Sequence, residues 1–283
     1  MKLKRILAAV DLGPDTGRIT AYARWFAGMT GAEEVRLIHV VDYGLTPPAY
    51  IKPYLEKEIG RLEREITEWT IRLINAGVKA TGKMEVGRLI ETFHAVLESF
   101  AADLVILGYK SHLMRASSSE RLIRSLPIPL LVVRGEKPGE KLAGVPEVKT
   151  ILCAVDFSSH SLKALDFAKE ICAASGAELI VVHVVKPLRP DLGLSDEVKE
   201  RYLKERREEA KDHISILIRE HTAVRSVIRE GAPYEVIARV AAETAASMLF
   251  MGARGLSYFK GVLVGSISDA LIKSSPCPVM IVH

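Results

Sequence analysis

Short apolar runs and longer amphipathic stretches alternate along the chain. In its second half the runs are ILCAVDF, ELIVVHVV, RSVIRE, MLFMG and PVMIV. Most lack the apolar–polar alternation of a strand with one wet face, and they are rich in Val, Ile and Leu. Strands covered on both faces have this composition. The stretches between them carry helical spacing. SLKALDFAKEICAASG puts Leu162, Leu165, Ala168 and Cys172 on one face and closes at Gly176, and YEVIARVAAETAAS does the same with Val236, Ile237, Val240 and Ala241. Strand and helix in repeated alternation predict a parallel sheet with helices on both sides and right-handed crossovers. Open sheets of this type bind ligands at the carboxyl ends of the strands, where the winding reverses. Asp156 ends the first run, Val184 and Val185 the second and Gly252 the fourth, so these residues are expected to meet at one crevice.

The same pattern occurs twice. RILAAVDLG (Arg5 to Gly13) matches TILCAVDFS (Thr150 to Ser158), and GAEEVRLIHVV (Gly31 to Val41) matches GAELIVVHVV (Gly176 to Val185) with one inserted residue. ADLVILGYKS (Ala102 to Ser111) matches ASMLFMGARG (Ala246 to Gly255), and PIPLLVV (Pro127 to Val133) matches PCPVMIV (Pro276 to Val282). Asp11 and Asp156, His39 and His183, Gly87 and Gly231, and Gly108 and Gly252 lie 144 or 145 positions apart. So long a period marks a duplicated domain rather than a solenoid repeat. Residues 1–135 and 149–283 are the two expected α/β domains. Residues 136–148, within the Gly-, Pro- and charge-rich stretch RGEKPGEKLAGVPEVK, are the expected linker.

Composition narrows the function classes. Of the 283 residues, 48% are apolar and 26% charged, as in a globular protein, and the formal net charge is only +4. The basic residues are interleaved with Glu, as in YLKERREEAKD (Tyr202 to Asp212), which reads as a solvated helix face and not as a nucleic-acid patch. Three cysteines with no CxxC pair give neither a disulfide framework nor a zinc site, and fit a reducing compartment. The opening apolar run ends at Asp11, too early for a signal peptide, and no stretch reaches the ~20 apolar residues of a membrane span. A cytoplasmic location with no membrane partner is expected.

The chemistry is concentrated in LFMGARGLSYFKGVLVGSISDALI (Leu249 to Ile272). Gly252 ends an apolar run, Gly255 follows after two residues, and Gly265-Ser266 opens a helix after nine more. Glycines let backbone N–H groups approach a phosphate without an intervening Cβ, and they permit positive φ. A helix start adds unsatisfied N–H donors and partial positive charge. The alternative is structural: the glycines serve turns, Ser266 caps the helix, and Asp156 is a turn or cap residue instead of an acceptor for ribose hydroxyls or an adenine amine.

The Gly-x2-Gly-x9-Gly-Ser loop together with AVDFS at the end of strand one resembles the universal stress protein family, and its ATP-binding branch in particular. The likeness covers nearly the whole chain as two copies. It implies two open five-stranded parallel α/β sandwiches, Rossmann-like, of strand order 3-2-1-4-5. It also implies an adenine nucleotide (ATP, ADP or AMP, with Mg2+ on the phosphates if they are processed), dimers through the last strands, and an unknown protein partner. Carried over by residue, the AVDFS segment supplies Ala154, Val155, Asp156 and Ser158, with Asp156 on ribose or adenine. The backbone of Val184 reads the adenine edge, and Gly252, Gly255, Gly265 and Ser266 cradle the phosphates with Arg254 and Ile267 beside them. The two halves are expected to form an intramolecular pair through PLLVV and PVMIV, or to pair with another chain.

The first half departs from this pattern. It keeps Asp11 and Gly108, but Ser111 replaces Gly255, Ala116-Ser117 replaces Gly265-Ser266, and the loop is five residues shorter. Weak or absent nucleotide binding is expected there, although Arg115 and Ser117 to Ser119 could donate. The paired His39 and His183 are expected to be packed rings bonded to backbone. Tyr258 and Phe259 are expected to fold the loop against the domain. The four–three stripe Leu55, Ile59, Leu62, Ile66, Trp69 and Leu73 is expected to pack on its own sheet and not on a coiled-coil partner. No Walker, GxGxxG or GxSxG motif is present. The expected function is an adenine-nucleotide-binding stress-response regulator. A slow ATPase or phosphotransferase and a nucleotide-free scaffold are the alternatives.

Overall fold

The computed structural model describes residues 3–42, 48–109, 117–134, 144–188, 193–219, 224–255 and 264–283, with backbone only at 48–57. The expectations for Leu55, Ser111, Arg115, Ala116, Tyr258, Phe259 and most of the linker lie outside the described residues. The chain forms two compact units, Met1–Glu147 and Val148–His283.

The first unit runs β1 (Arg5–Ala9), α1 (Thr16–Thr30), β2 (Glu34–Asp42), α2 (Pro48–Asn75), β3 (Ala80–Gly87), α3 (Leu89–Phe100), β4 (Leu104–Tyr109), α4 (Ser118–Ile123) and β5 (Leu130–Arg134). Its strands are parallel in the order β3-β2-β1-β4-β5. The second unit runs β6 (Thr150–Ala154), α5 (Ser159–Ser175), β7 (Glu178–Val185), α6 (Asp196–Ile218), β8 (Val224–Glu230), α7 (Pro233–Glu243), β9 (Met248–Gly252), α8 (Ser266–Ser274) and β10 (Val279–Val282). Its strands are parallel in the order β8-β7-β6-β9-β10. Both are open Rossmann-like sheets of order 3-2-1-4-5. In each, the chain winds outward from the first strand, then returns to that strand's other side. The loops leaving β6 and β9 therefore diverge and leave a crevice between them.

The unbroken apolar runs have the expected cause. Every residue of β9 and β10 is buried, whereas β8 ends its unit's order and has only half-buried and exposed residues. Phe167 of α5 meets Phe250 of β9 edge-on at 5.5 Å, locking that helix to the sheet. The buried face of α5 is rotated from the expected one: Ala164, Leu165, Phe167, Ala168 and Ile171 are buried, while Leu162 and Cys172 sit at its margins. A helix lying on a sheet buries a stripe wide enough to take in Phe167 and Ile171, which the narrower row omitted. On α7 the expected Val236, Ile237, Val240 and Ala241 are the buried residues. The α2 stripe faces its own sheet, with Leu62, Ile66 and Leu73 buried, Ile59 and Trp69 half-buried, and α2 packed on β3. Among the described residues, no helix is long and apolar enough to cross a membrane.

Candidate functional site

A cleft of about 490 Å3 opens at the carboxyl ends of β6, β7 and β9, against the start of α8 and one face of α6. Of the sequence-predicted site residues, Ala154, Val155, Asp156, Val184, Gly252, Arg254, Gly255, Gly265, Ser266 and Ile267 all line it. Ser158 does not. It is buried behind Asp156 as the N-cap of α5, its hydroxyl oxygen accepting from the Ser161 amide at 3.3 Å.

Strand β6 stops at Ala154, two residues before Asp156, but Val155 still donates its amide to Val182 at 2.9 Å. The chain then turns at Phe157, whose φ of 65° is left-handed and costly for an aromatic residue. That turn aims Asp156 across the cleft mouth. The Ser158 amide (3.1 Å) and hydroxyl (2.6 Å) both donate to Asp156 Oδ1. The other oxygen, Oδ2, lies against Gly255, where a Cβ would collide with it. Asp156 is thus a turn residue whose carboxylate also lines the cleft.

The three glycines differ in what they do. None has positive φ, so the conformational half of the expectation does not apply. A Cβ on Gly252 would lie 2.7 Å from the His160 carbonyl carbon and the Ser161 amide. Glycine there lets β9 approach α5, a packing role. Gly255 makes room for Asp156. Gly265 is different: at φ −72° and ψ 163° its backbone suits any residue, and a Cβ would meet nothing closer than 3.5 Å. Nothing within the described protein requires a glycine there, while the residue faces the cleft.

Helix α8 is pinned by the Gly265 amide donating to Ala253 at 2.7 Å and by Ser268 Oγ donating toward the Gly252 and Ala253 carbonyls at 3.1 and 3.2 Å. The Gly265 amide is thereby committed to the protein and drops out of the expected cradle. The amides of Ser266, Ile267 and Ser268 lie in the first turn, where no intrahelical carbonyl serves them. The cleft thus meets a helix N-terminus at its Gly-Ser end.

The opposite end is aromatic. His183 Nδ1 lies 2.7 Å from the Val155 carbonyl, and His39 makes the matching 2.8 Å contact with Val10, as expected for packed rings. Nδ1 then carries the proton that bonds the carbonyl. Burial foremost, with nearby His213, pushes the His183 pKa down, which favours the neutral ring. Phe157 lies 4.7 Å from His183 and 5.1 Å from His213 of α6. Sequence reasoning missed the α6 wall, where Tyr202, Arg206, Glu209 and His213 line the cleft. Mixed charge had marked this stretch as solvent-facing. The available signal was the four–three–four spacing of these residues next to buried Ala210 and Ile214.

Positive charge gathers near Gly252. Burial first, then Lys163 and Arg254, lowers the His160 pKa. Burial first, then His160, Arg254 and Lys163, lowers that of His283 to about 4. The cysteines are free, with thiol pKa values raised by burial, to about 12 for Cys172 and about 11 for Cys277. Among the described residues no cluster of three or more His, Cys, Asp or Glu side chains could hold a metal ion.

The first unit has a corresponding cleft of about 430 Å3, lined by Val10, Asp11, His39, Val40, Gly108 and Asp15, with Ser117 to Ser119 at its rim. Here the Gly13 amide donates to Asp11 Oδ1 at 2.9 Å, and Leu12 takes the left-handed turn with φ 57°. Ser117 and Glu120 close a capping box on α4.

Two doubly wound sheets, each with a crevice where its winding reverses, define a tandem protein of the Rossmann-like α/β class. The chain belongs to the universal stress protein family, whose family model matches residues 2–134 and again 147–283. A universal stress protein of Thermus aquaticus is 37% identical over 141 residues, 48% of this chain and 98% of the relative. Universal stress protein YxiE of Bacillus subtilis is 34% identical over 144 residues, 47% of this chain and 97% of the relative. The crystal structure of a universal stress protein from Archaeoglobus fulgidus is similar in fold over 100% of this chain and 99% of its own, with a TM-score of 0.73 at 22% identity.

Proposed function

We propose that the second unit binds an adenine nucleotide (ATP, or its ADP and AMP products) and that the chain is a nucleotide-dependent regulator of the stress response in a reducing cytoplasm. The observation that carries this reading is Gly265, a cleft-facing glycine that neither its backbone conformation nor packing against the described residues requires, at the start of α8. A phosphate supplies the missing reason, because it needs the space a Cβ would fill and the amide donors that follow.

In this reading Asp156 accepts from a ribose hydroxyl, the Val184 backbone meets the adenine edge, and the Phe157–His183 wall supports the base. The Ser266 and Ile267 amides, with Arg254, hold the phosphates, and any Mg2+ enters with them. Charge-assisted bonds contribute on the order of 1.5–3 kcal/mol each, so three or four give micromolar affinity after the costs of association. The nucleotide bridges Gly252 and Ser266, the two ends of the glycine loop, and so alters a surface that a protein partner or a second copy reads.

Mass analysis of small molecules released from the purified chain tests this, followed by calorimetry with ATP, ADP, AMP and cyclic AMP. An adenine nucleotide bound at one equivalent supports the reading, and no binding of any of the four at millimolar concentration overturns it. Incubation with labelled ATP then separates a binding protein from a slow hydrolase.

A further inference from the structure

We infer that one face of α6 is a ligand-contacting wall: Tyr202, Arg206, Glu209 and His213 receive the base of the bound nucleotide, and its docking secures the outer half of this helix. The inference rests on the proposed reading of the second unit and names the element that answers to the ligand. The four residues are spaced by four, three and four, so they form one row of about 16 Å along the helix. All four line the cleft, as do Pro233 and Ile237 of α7. Right-handed crossovers set α6 and α7 on opposite faces of the sheet, so the cleft mouth lies between two unlike walls. The α7 wall is apolar. The α6 row offers a phenol, a guanidinium and an imidazole, the groups on which a flat base stacks. Arg206 is held in the middle of the row, its guanidinium 5.5 Å from the Tyr202 ring and donating to Glu209 Oε2 at 2.8 Å. His213 meets Phe157 edge-on at 5.1 Å, which joins the row to the His183 end of the cleft.

The two walls are unequally supported. Four of the 11 residues of α7 are buried. Of the 23 residues of α6, only Ala210 and Ile214 are, and from Asp196 to Glu209 none is. Helices in proteins draw most of their stability from a packed amphipathic face. The outer half of α6 has instead local pairs such as Asp196–Lys199 at 3.1 Å and Arg206–Glu209, and exposed pairs contribute little. The helix is tied to its neighbours from Arg207 onward, by Arg207 to Glu230 of β8 and by Lys169 of α5, which donates to the Leu217 carbonyl at 2.9 Å. A base resting on the row gives the outer half the packed face it lacks. Occupancy of the cleft is thereby passed to the far side of the helix, where Glu200 and Lys204 are exposed to a partner.

Amide hydrogen exchange of the full chain tests this, read with no ligand, with ATP and with inorganic triphosphate. ATP should slow exchange over residues 196–209 at least about fivefold, and inorganic triphosphate should leave it as in the ligand-free chain. The double variant Tyr202→Ala, His213→Ala should bind ATP about tenfold more weakly with its ligand-free denaturation curve unmoved, while Lys204→Ala binds as the parent does. Bound ATP that leaves exchange over 196–209 unchanged, equal protection by triphosphate, or full affinity in the double variant overturns the inference and leaves the second-unit reading intact. Calorimetry on the same samples separates these results from a failure of ATP to bind, which overturns both.

Discussion

At the end of β6 the chain reads Ala154-Val155-Asp156 and turns left-handed at Phe157; at the end of β1 it reads Ala9-Val10-Asp11 and turns left-handed at Leu12. Up to that point the two units solve one geometric problem identically, down to the histidine ring bonded to the carbonyl before the aspartate. They diverge within the next helical turn. The second unit places His160 beside the fourth-strand glycine, with Lys163, Arg254 and His283 near it, and opens α8 with Gly265-Ser266. The first places Asp15 there and spends Ser117 on a capping box. A duplicated fold can thus hold its first two strand ends constant while the side chains beside the fourth-strand glycine change, because the two are built by different loops on the same rigid strand ends.

The largest expected effect falls on Gly265→Val. Its side chain would fill the proposed phosphate space, so ATP affinity should drop by at least about 100-fold with the folding transition unmoved. Calorimetry and a denaturation curve check both expectations, and retained affinity would remove Gly265 from the site. Next come the fourth-strand glycines. Gly252→Ala drives a Cβ into backbone atoms of α5 and should cost about 2–3 kcal/mol of stability. Gly108→Ala meets the end of the Ile19 side chain at 3.3 Å and should cost less than about 1. Equal shifts in denaturant midpoint would mean the two glycines pack alike.

Asp156→Ala should weaken ATP binding by ~1–3 kcal/mol, while Asp11→Ala leaves it unchanged. If 2′,3′-dideoxy-ATP suffers the same loss as ATP from Asp156→Ala, the ribose contact is wrong. The smallest effect is on pH dependence. The pKa of His283 is depressed from 6.5 to about 4. Between those values the unfolded chain binds a proton that the folded chain does not. Stability contributed by the neutral ring is therefore full above about pH 6.5 and declines as pH falls toward 4, by about 1–2 kcal/mol after allowing for the ring's partial exposure. His283→Gln should flatten that decline, and an unchanged acid limb would place the titration elsewhere.

The duplication, the strand–helix alternation, the buried row of α7 and the convergence of Asp156, Val184 and Gly252 were all legible in the residues. Hydrophobic periodicity and strand-end position decide them, and both are local. The packing face of α5 was misplaced because Phe167 and Ile171 only become central once a sheet lies beneath them. The α6 wall was missed because charge alternation looks the same on a solvated helix and on one lining a cleft.

What the sequence by itself determined is the doubly wound fold, its repetition, and the strand ends at which chemistry could gather. Unbroken apolar runs alternating with stretches of 3.6-residue periodicity leave little other choice. Only the tertiary structure decided which glycine does what. Gly252 serves packing against α5, Gly255 clears Asp156, and Gly265, of these three, is left unexplained by its described neighbours. That distinction depends on distances between residues far apart in the chain, which no local pattern encodes.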